Sequence, residues 1–217
     1  MKDNLQPRQK QNYHTLVIHS TDNSFAFGYR KNNNAGSDEI FIKEFDKDLC
    51  NNLIVDFDKF ISKESLQKLN KISVSIGPAN FNASRLIVVL ARTISQQINC
   101  PLDSFSSFEI MAKRIALKNH IFINKKSFWI YKKLKRKGFI AGKYEIHNGA
   151  HNNEDLSIRE IFSPKVIKEL RSKELFFQAN YEDEVDIKEF LDLSNKNLLN
   201  SYKWQKVLPL YPISPIN

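Results

Sequence analysis

Three short stretches carry the residue types that chemistry would need. His19-Ser20-Thr21, followed by Asp22, closes the apolar run Thr15 to Ser20. A histidine there reads either as a general base or as a hydrogen-bonded core or turn residue. Gly77-Pro78-Ala79 stands between a strand pattern and a helix pattern. Backbone amides in such a loop can approach phosphate, and the same residues also make a plain strand-to-helix turn. The third stretch joins Lys125, Lys126, Lys132, Lys133, Lys135, Arg136 and Lys137 with Phe128, Trp129 and Tyr131, without one acid. Cations interleaved with aromatics can hold RNA by phosphate pairing and base stacking, whereas the alternative is a solvated loop.

Other chemistry finds little to work with. No Gly-x-Ser-x-Gly elbow is present, and neither Cys50 nor Cys100 has a histidine near it in sequence. The two cysteines are far apart without metal-ligand spacing, so reduced thiols are expected and no metal site. The formal charge is +9, but the stretch from Lys125 to Lys137 supplies +7 of it, leaving +2 for everything else. A local patch needs explaining, not a basic protein. The 217 residues, 41% hydrophobic and 12% aromatic, suffice for one large domain or two small lobes. No apolar run is long enough to span a bilayer, and the polar start MKDNLQPRQKQNYH lacks a secretory apolar stretch. A cytoplasmic protein without membrane contact is expected.

The elements that must position these residues follow from periodicity. Thr15 to Ser20, Ser24 to Arg30 and Glu39 to Phe45 read as three strands joined by turns, with Phe25, Phe27 and Tyr29 on one side of the second and Ala26 and Gly28 on the other. Lys47 to Ile61 reads as a helix with Leu49, Leu53, Phe57, Phe60 and Ile61 on one face. Ile72 to Ile76 is a strand, and a helix from Asn82 or Ala83 runs to about Ile98. Ser106 and Glu109 have capping-box spacing at the head of a helix to about Leu117. Beyond that come a strand from His120 to Ile123, the basic stretch as a loop, and a strand from Gly138 to Ile146. A helix near Ser163 to Arg171, a strand near Leu175 to Gln178, a helix from Asp186 to about Asn200 and an extended Pro-rich tail complete the reading. Strands first, then alternating strand and helix, imply α/β layers with a mixed sheet.

On the helix from Asn82, the residues Ala83, Ile87, Leu90, Ala91, Ile94 and Ile98 form the stripe expected to face the sheet. Leu86, Val89 and Thr93 form a second strip beside Arg85 and Gln96. A surface helix needs one apolar stripe, so a neighbouring helix or a partner protein must cover the second.

The segment ISVSIGPANFNASRLIVVLARTISQQINCPLDSFSSFEIMA, from Ile72 to Ala112, resembles a pattern of the TsaB family. That pattern is a strand, a Gly-Pro-Gly-Ser-Phe-Thr-Gly-Leu-Arg loop and helix, then a Pro-containing strand and a Ser-Ser-Leu-Glu-Ala helix. Phe45 to Leu53 (FDKDLCNNL) is similar to the approach to the family's helix, Lys137 to Glu145 (KGFIAGKYE) to its Arg-Gly-Glu-x-Phe-x-Ala-x-Tyr strand, and Trp204 to Pro215 to its Pro-x-Tyr tail. The anchors occur in the family's order along most of the chain.

The resemblance implies an α/β, two-lobed actin-like ATPase fold with a ribonuclease-H-like mixed sheet in each lobe. The lobes would be residues 1–113, carrying the pairing helices, and a reduced 114–217. It implies a non-catalytic cytoplasmic subunit of the machinery that forms threonylcarbamoyladenosine in tRNA. Its partners would be a TsaD-like catalytic subunit and a TsaE-like ATPase, or a second copy, with tRNA reached through the complex. Pairing would use the helices Lys47–Ile61 and Asn82–Ile98, with Arg85, Leu86, Val89, Thr93 and Gln96 at the interface. Where the family has Asp-Thr-Ser, this chain has His19-Ser20-Thr21, and imidazole is a poor magnesium ligand. Gly77, Pro78, Phe81 and Arg85 match the second loop, but Ala79, Asn82, Ala83 and Ser84 replace its glycine, threonine, glycine and leucine. Both phosphate loops thus read as degenerate, with no cofactor expected. An active actin-like ATPase, kinase or glycoprotease-like hydrolase, and a stand-alone RNA-binding protein, are the alternatives.

Overall fold

The computed structural model describes residues 13–31, 34–45, 49–121, 127–134, 138–147, 156–170, 173–196 and 204–210. The first sheet holds β1 (His14–Ser20), β2 (Ser24–Lys31), β3 (Glu39–Glu44), β4 (Leu69–Ser75) and β5 (Leu102–Phe105), in the order β3-β2-β1-β4-β5. β2 is antiparallel to both its neighbours, whereas β4 and β5 run parallel to β1. That order and direction are those of a ribonuclease-H-like sheet.

All seven residues of β1 are buried, because both faces of the sheet are covered. On one face α1 (Leu49–Phe60) and α3 (Phe81–Ile98) close a core containing Phe25, Phe27, Tyr29, Leu53, Phe57 and Ile87. On the other face α5 (Asp183–Lys196) brings Ile187, Phe190 and Leu191 onto Val17 and Ala26. Gly28 is what lets this helix sit so close. A Cβ there would stand 2.8 Å from Val17 Cγ2 and 3.1 Å from Ile187 Cγ1. The period of two in β2 therefore separates two cores rather than core from solvent.

The second sheet holds β6 (Ser127–Lys133), β7 (Phe139–His147), β8 (Ser157–Ile167) and β9 (Phe176–Gln178), in the order β8-β7-β6-β9. β6–β7 and β7–β8 are antiparallel and β6–β9 parallel. This is the first sheet's order again, one strand short among the described residues. In the first sheet the crossover from β3 to β4 contains α1 and the short α2 (Lys63–Gln67). In the second, the described residues of the matching crossover, 168–170 and 173–175, form no helix. α4 (Ser107–Lys118) covers one face of this sheet, packing Phe108, Met111 and Ile115 with Phe128, Ile130 and Tyr144. The molecule is thus an α/β fold with a mixed sheet in each of two lobes, the second reduced.

α4 and α5 join the lobes. Arg114 Nε donates to Asp186 Oδ1 at 2.9 Å, and its guanidinium also reaches Glu182 Oε1 and the Asn180 carbonyl, both at 2.8 Å. Ser106 caps α4 by accepting from the Glu109 N–H at 3.0 Å, as its spacing predicts.

Three expectations are corrected. The basic stretch is not a loop where it is described: Ser127–Lys133 form β6, with Phe128 and Ile130 turned into the core. Ser163 to Arg171 does not begin a helix, since Ser163 to Ile167 complete β8. Register shifts between β7 and β8 near Ala141, Lys143 and Tyr144 break the alternation that would have revealed it. His120 does not start a strand either, having a left-handed φ of 50°.

Candidate functional site

The parallel strands β1, β4 and β5 end together, and the sequence-predicted loops meet there. Gly77 has φ 100° and is followed by a cis Gly77–Pro78 bond, a backbone state that L side chains rarely adopt. Three successive carbonyls of this turn are engaged. Ser107 N–H donates to Gly77 O at 2.7 Å, Leu210 N–H to Ile76 O at 2.8 Å, and the Tyr181 hydroxyl to Pro78 O. Asn80 N–H donates to Thr21 O at 3.1 Å, tying the two loops to each other.

The amides at the head of α3 are engaged as well. Asn80 Oδ1 accepts from the N–H groups of Asn82 (3.1 Å) and Ala83 (3.2 Å), and Asn80 O accepts from Ser84 N–H at 2.9 Å. A helix N-terminus holds an anion through these same donors. Here the chain's own asparagine occupies them, and Ala79 contributes only a methyl group.

At the end of β1, His19 is fully buried, edge-on to Phe190 with ring centroids 6.1 Å apart. Neither ring nitrogen has a hydrogen-bond partner among the described residues. Burial pushes its pKa down to about 3, so the ring is a neutral, largely apolar filler under α5. Ser20 N–H donates to Ser75 Oγ at 3.1 Å, and Ser20 Oγ lies 3.4 Å from Ser84 Oγ. Thr21 Oγ1 closes the turn, accepting from Ser24 N–H at 3.0 Å.

Beside this turn lies a cavity of about 470 Å³ bordered by Thr21, Asp22, Ser24, Glu44, Tyr181 and Asp183. Asp22 is paired with Lys132, and Asp183 accepts from the Ser24 hydroxyl. Three carboxylates against one lysine repel a phosphate rather than attract it. Among the described residues no cluster of His, Cys, Asp or Glu could hold a metal ion. Cys100 is buried and its thiol is raised to about 12 by desolvation, which keeps it protonated and unreactive.

On α3, Arg85, Thr93 and Gln96 are exposed, Val89 is 59% exposed, and Leu86 is half-buried against the first core. The guanidinium of Arg85 lies over the ring of Phe81, 5.3 Å from its centroid, and that ring is itself 44% exposed. α1 adds Ile54 and Val55, 64% and 50% exposed. Sequence reasoning assigned Phe81 to the loop motif and passed over Ile54 and Val55. The signal was there, because both lie off the Leu53–Phe57–Ile61 stripe. Of the basic residues, Lys132 turns to Asp22 and the Tyr181 ring, and Lys133 is exposed. Lys125, Lys126, Lys135, Arg136 and Lys137 lie outside the described residues.

No protein-family model and no curated protein matches the sequence. Solved structures do. An uncharacterized protein with similarity to peptidase YeaZ from Pseudomonas aeruginosa superposes with a TM-score of 0.69 at 10% identity, covering 93% of this chain and 100% of that one. YeaZ from Pseudomonas aeruginosa gives 0.66 at 11% identity, covering 92% and 99%. The chain therefore has the YeaZ fold over nearly its whole length, with a mixed sheet in each of two lobes. Identity this low speaks to fold alone. Among the described residues no helix is long and apolar enough to cross a membrane.

Proposed function

We propose that this chain is a TsaB-type, non-catalytic subunit of the tRNA threonylcarbamoyladenosine machinery. It holds a TsaD-like catalytic subunit through α1 and α3, alongside a TsaE-like ATPase, and reaches tRNA only through the complex. The motif order from Phe45 to Pro215 and the fold shared with YeaZ, the TsaB homologue, support the assignment. The observation that carries the pairing role is the solvent-facing strip of Phe81, Arg85 and Val89 on α3, together with the exposure of Ile54 and Val55 on α1. Apolar side chains fringed by an arginine are the usual centre of a protein interface. The non-catalytic role draws support from the neutral His19, the self-capped head of α3 and the acidic cavity.

Val89→Glu tests the reading, because residue 89 is exposed and a carboxylate there leaves the fold unstrained. The variant is expected to melt with the wild type yet to lose co-elution with the TsaD-like subunit of the same organism. Undiminished co-elution would overturn the assignment of the surface. Reconstituting tRNA modification with and without the chain tests its role in the complex.

A further inference from the structure

Above β6–β9, on the face away from α4, lies a cavity of about 710 Å³ whose border includes Lys168, Glu169 and Glu174. Trp129, Phe162 and Phe176 form its apolar wall. Trp129 and Phe176 are nearly parallel, with centroids 5.7 Å apart, and Phe162 meets Trp129 edge-on at 5.2 Å. The indole Nε1–H of Trp129 is buried and has no acceptor among the described residues. Lys143 spans the wall, its Nζ 5.4 Å from the Trp129 ring centroid and 2.7 Å from Glu174 Oε1, and Lys168 stands at the rim.

These features limit what fits. The volume suits a molecule of nucleotide size. An aliphatic chain would leave the indole N–H unpaired, which costs free energy in an apolar wall. A pyranose lays its C–H face on aromatic rings, so a sugar is the competing occupant that a maltose titration separates. A flat heteroaromatic ring with acceptor atoms on its edge satisfies both the aromatic wall and the donor; Lys143 is paired with Glu174 and Lys168 has Glu169 beside it in sequence, so the ring and not an anionic tail sets the affinity. We propose that this cavity is a nucleobase-binding site, filled by a free nucleotide or by an unpaired base of single-stranded RNA. It moves the RNA-contact surface expected from the basic stretch onto one face of β6, since Trp129 lines the cavity whereas Phe128 is buried and Lys132 points to the first lobe. The site lies away from α1 and α3, so it stands or falls independently of the pairing surface.

The chain has two tryptophans, so Trp204→Phe leaves Trp129 as the sole indole reporter. Adenosine monophosphate and a short oligoadenylate are titrated separately, with calorimetry on the unsubstituted chain as a second measurement. Saturable quenching with a half-point below about 1 mM is expected. Tighter binding of the oligoadenylate identifies RNA as the source, and equal binding a free nucleotide. Ile161→Glu, at a position 45% exposed, should weaken either probe about tenfold by placing a carboxylate at the rim. Val89→Glu should leave binding unchanged. Absence of saturation with both probes, quenching unaffected by Ile161→Glu, or a maltose titration matching the nucleotide would overturn the proposal.

Discussion

Replacing His19 by leucine should remove a large part of the protein's sensitivity to acid. The ring is fully buried, without a hydrogen-bond partner among the described residues, and its pKa falls from 6.5 to about 3 through desolvation. A pKa depressed on folding means that the unfolded chain binds the proton more readily. The neutral histidine therefore contributes stability that is whole above pH 6.5 and is lost as pH falls toward 3. At about 1.4 kcal/mol per unit, the window of some 3.5 units corresponds to roughly 5 kcal/mol, of which about 2–3 kcal/mol is gone by pH ~4.5. Leucine fills a similar volume and carries no proton. Near neutrality it also relieves two orphaned nitrogens, so the variant should be at least as stable there. Urea unfolding followed by circular dichroism at about pH 7 and pH 4.5 measures the difference directly. The wild type should lose about 2–3 kcal/mol more than His19→Leu on acidification. An equal loss in both proteins would refute the reasoning, because it would mean that the folded ring is protonated as easily as the unfolded one.

Glu109 should act in the opposite direction. Burial first, then the neighbouring Glu160, raises its pKa from 4.5 to about 8, against a hydrogen bond from the Ser106 backbone. Stability linked to this carboxyl is whole below pH 4.5 and is lost as pH rises through about 8. With allowance for partial exposure, Glu109→Gln should hold about 1–2 kcal/mol more stability than the wild type at pH ~8.5 relative to pH ~6, read from urea midpoints. The Lys71–Asp103 pair, 2.6 Å apart and 2% and 4% exposed, supports a third expectation. Asp103→Ala removes the counter-ion of a buried ammonium that keeps its hydrogen bond to the Ser194 carbonyl, and should cost about 3–5 kcal/mol, whereas Lys71→Met with Asp103→Leu should stay within about 1 kcal/mol of the wild type in the same assay.

The first lobe was legible where local pattern and burial agree. β1, β2, β3 and α3 lie close to their expected limits, and the Ser106–Glu109 box marks the start of α4. The second lobe was harder to read for identifiable reasons. β6 ends on Lys132 and Lys133 inside the basic stretch and places Trp129 against an open cavity instead of a second core, so its alternation does not read as a core strand. β8 loses its period at the register shift, and Pro164 within it reads as a break. At the site, the substitutions His19 and Ala79 were visible. The capping by Asn80 was not, since an asparagine before a helix can also simply turn the chain. Nor could the sequence show that Lys132 leaves the basic patch for Asp22, a contact across 110 residues.

α5 and the segment around Val207 reach the first sheet only after the whole second sheet has been made. Val17 and Ala26 wait for Ile187, Phe190 and Leu191, and Leu210 is needed to close on Ile76. On the ribosome, then, β1 and β2 emerge with one face uncovered and keep it until α5 has been synthesised. Assembly of this protein is governed by its most distant contacts, which slows it and leaves β1 and β2 in need of protection while translation runs.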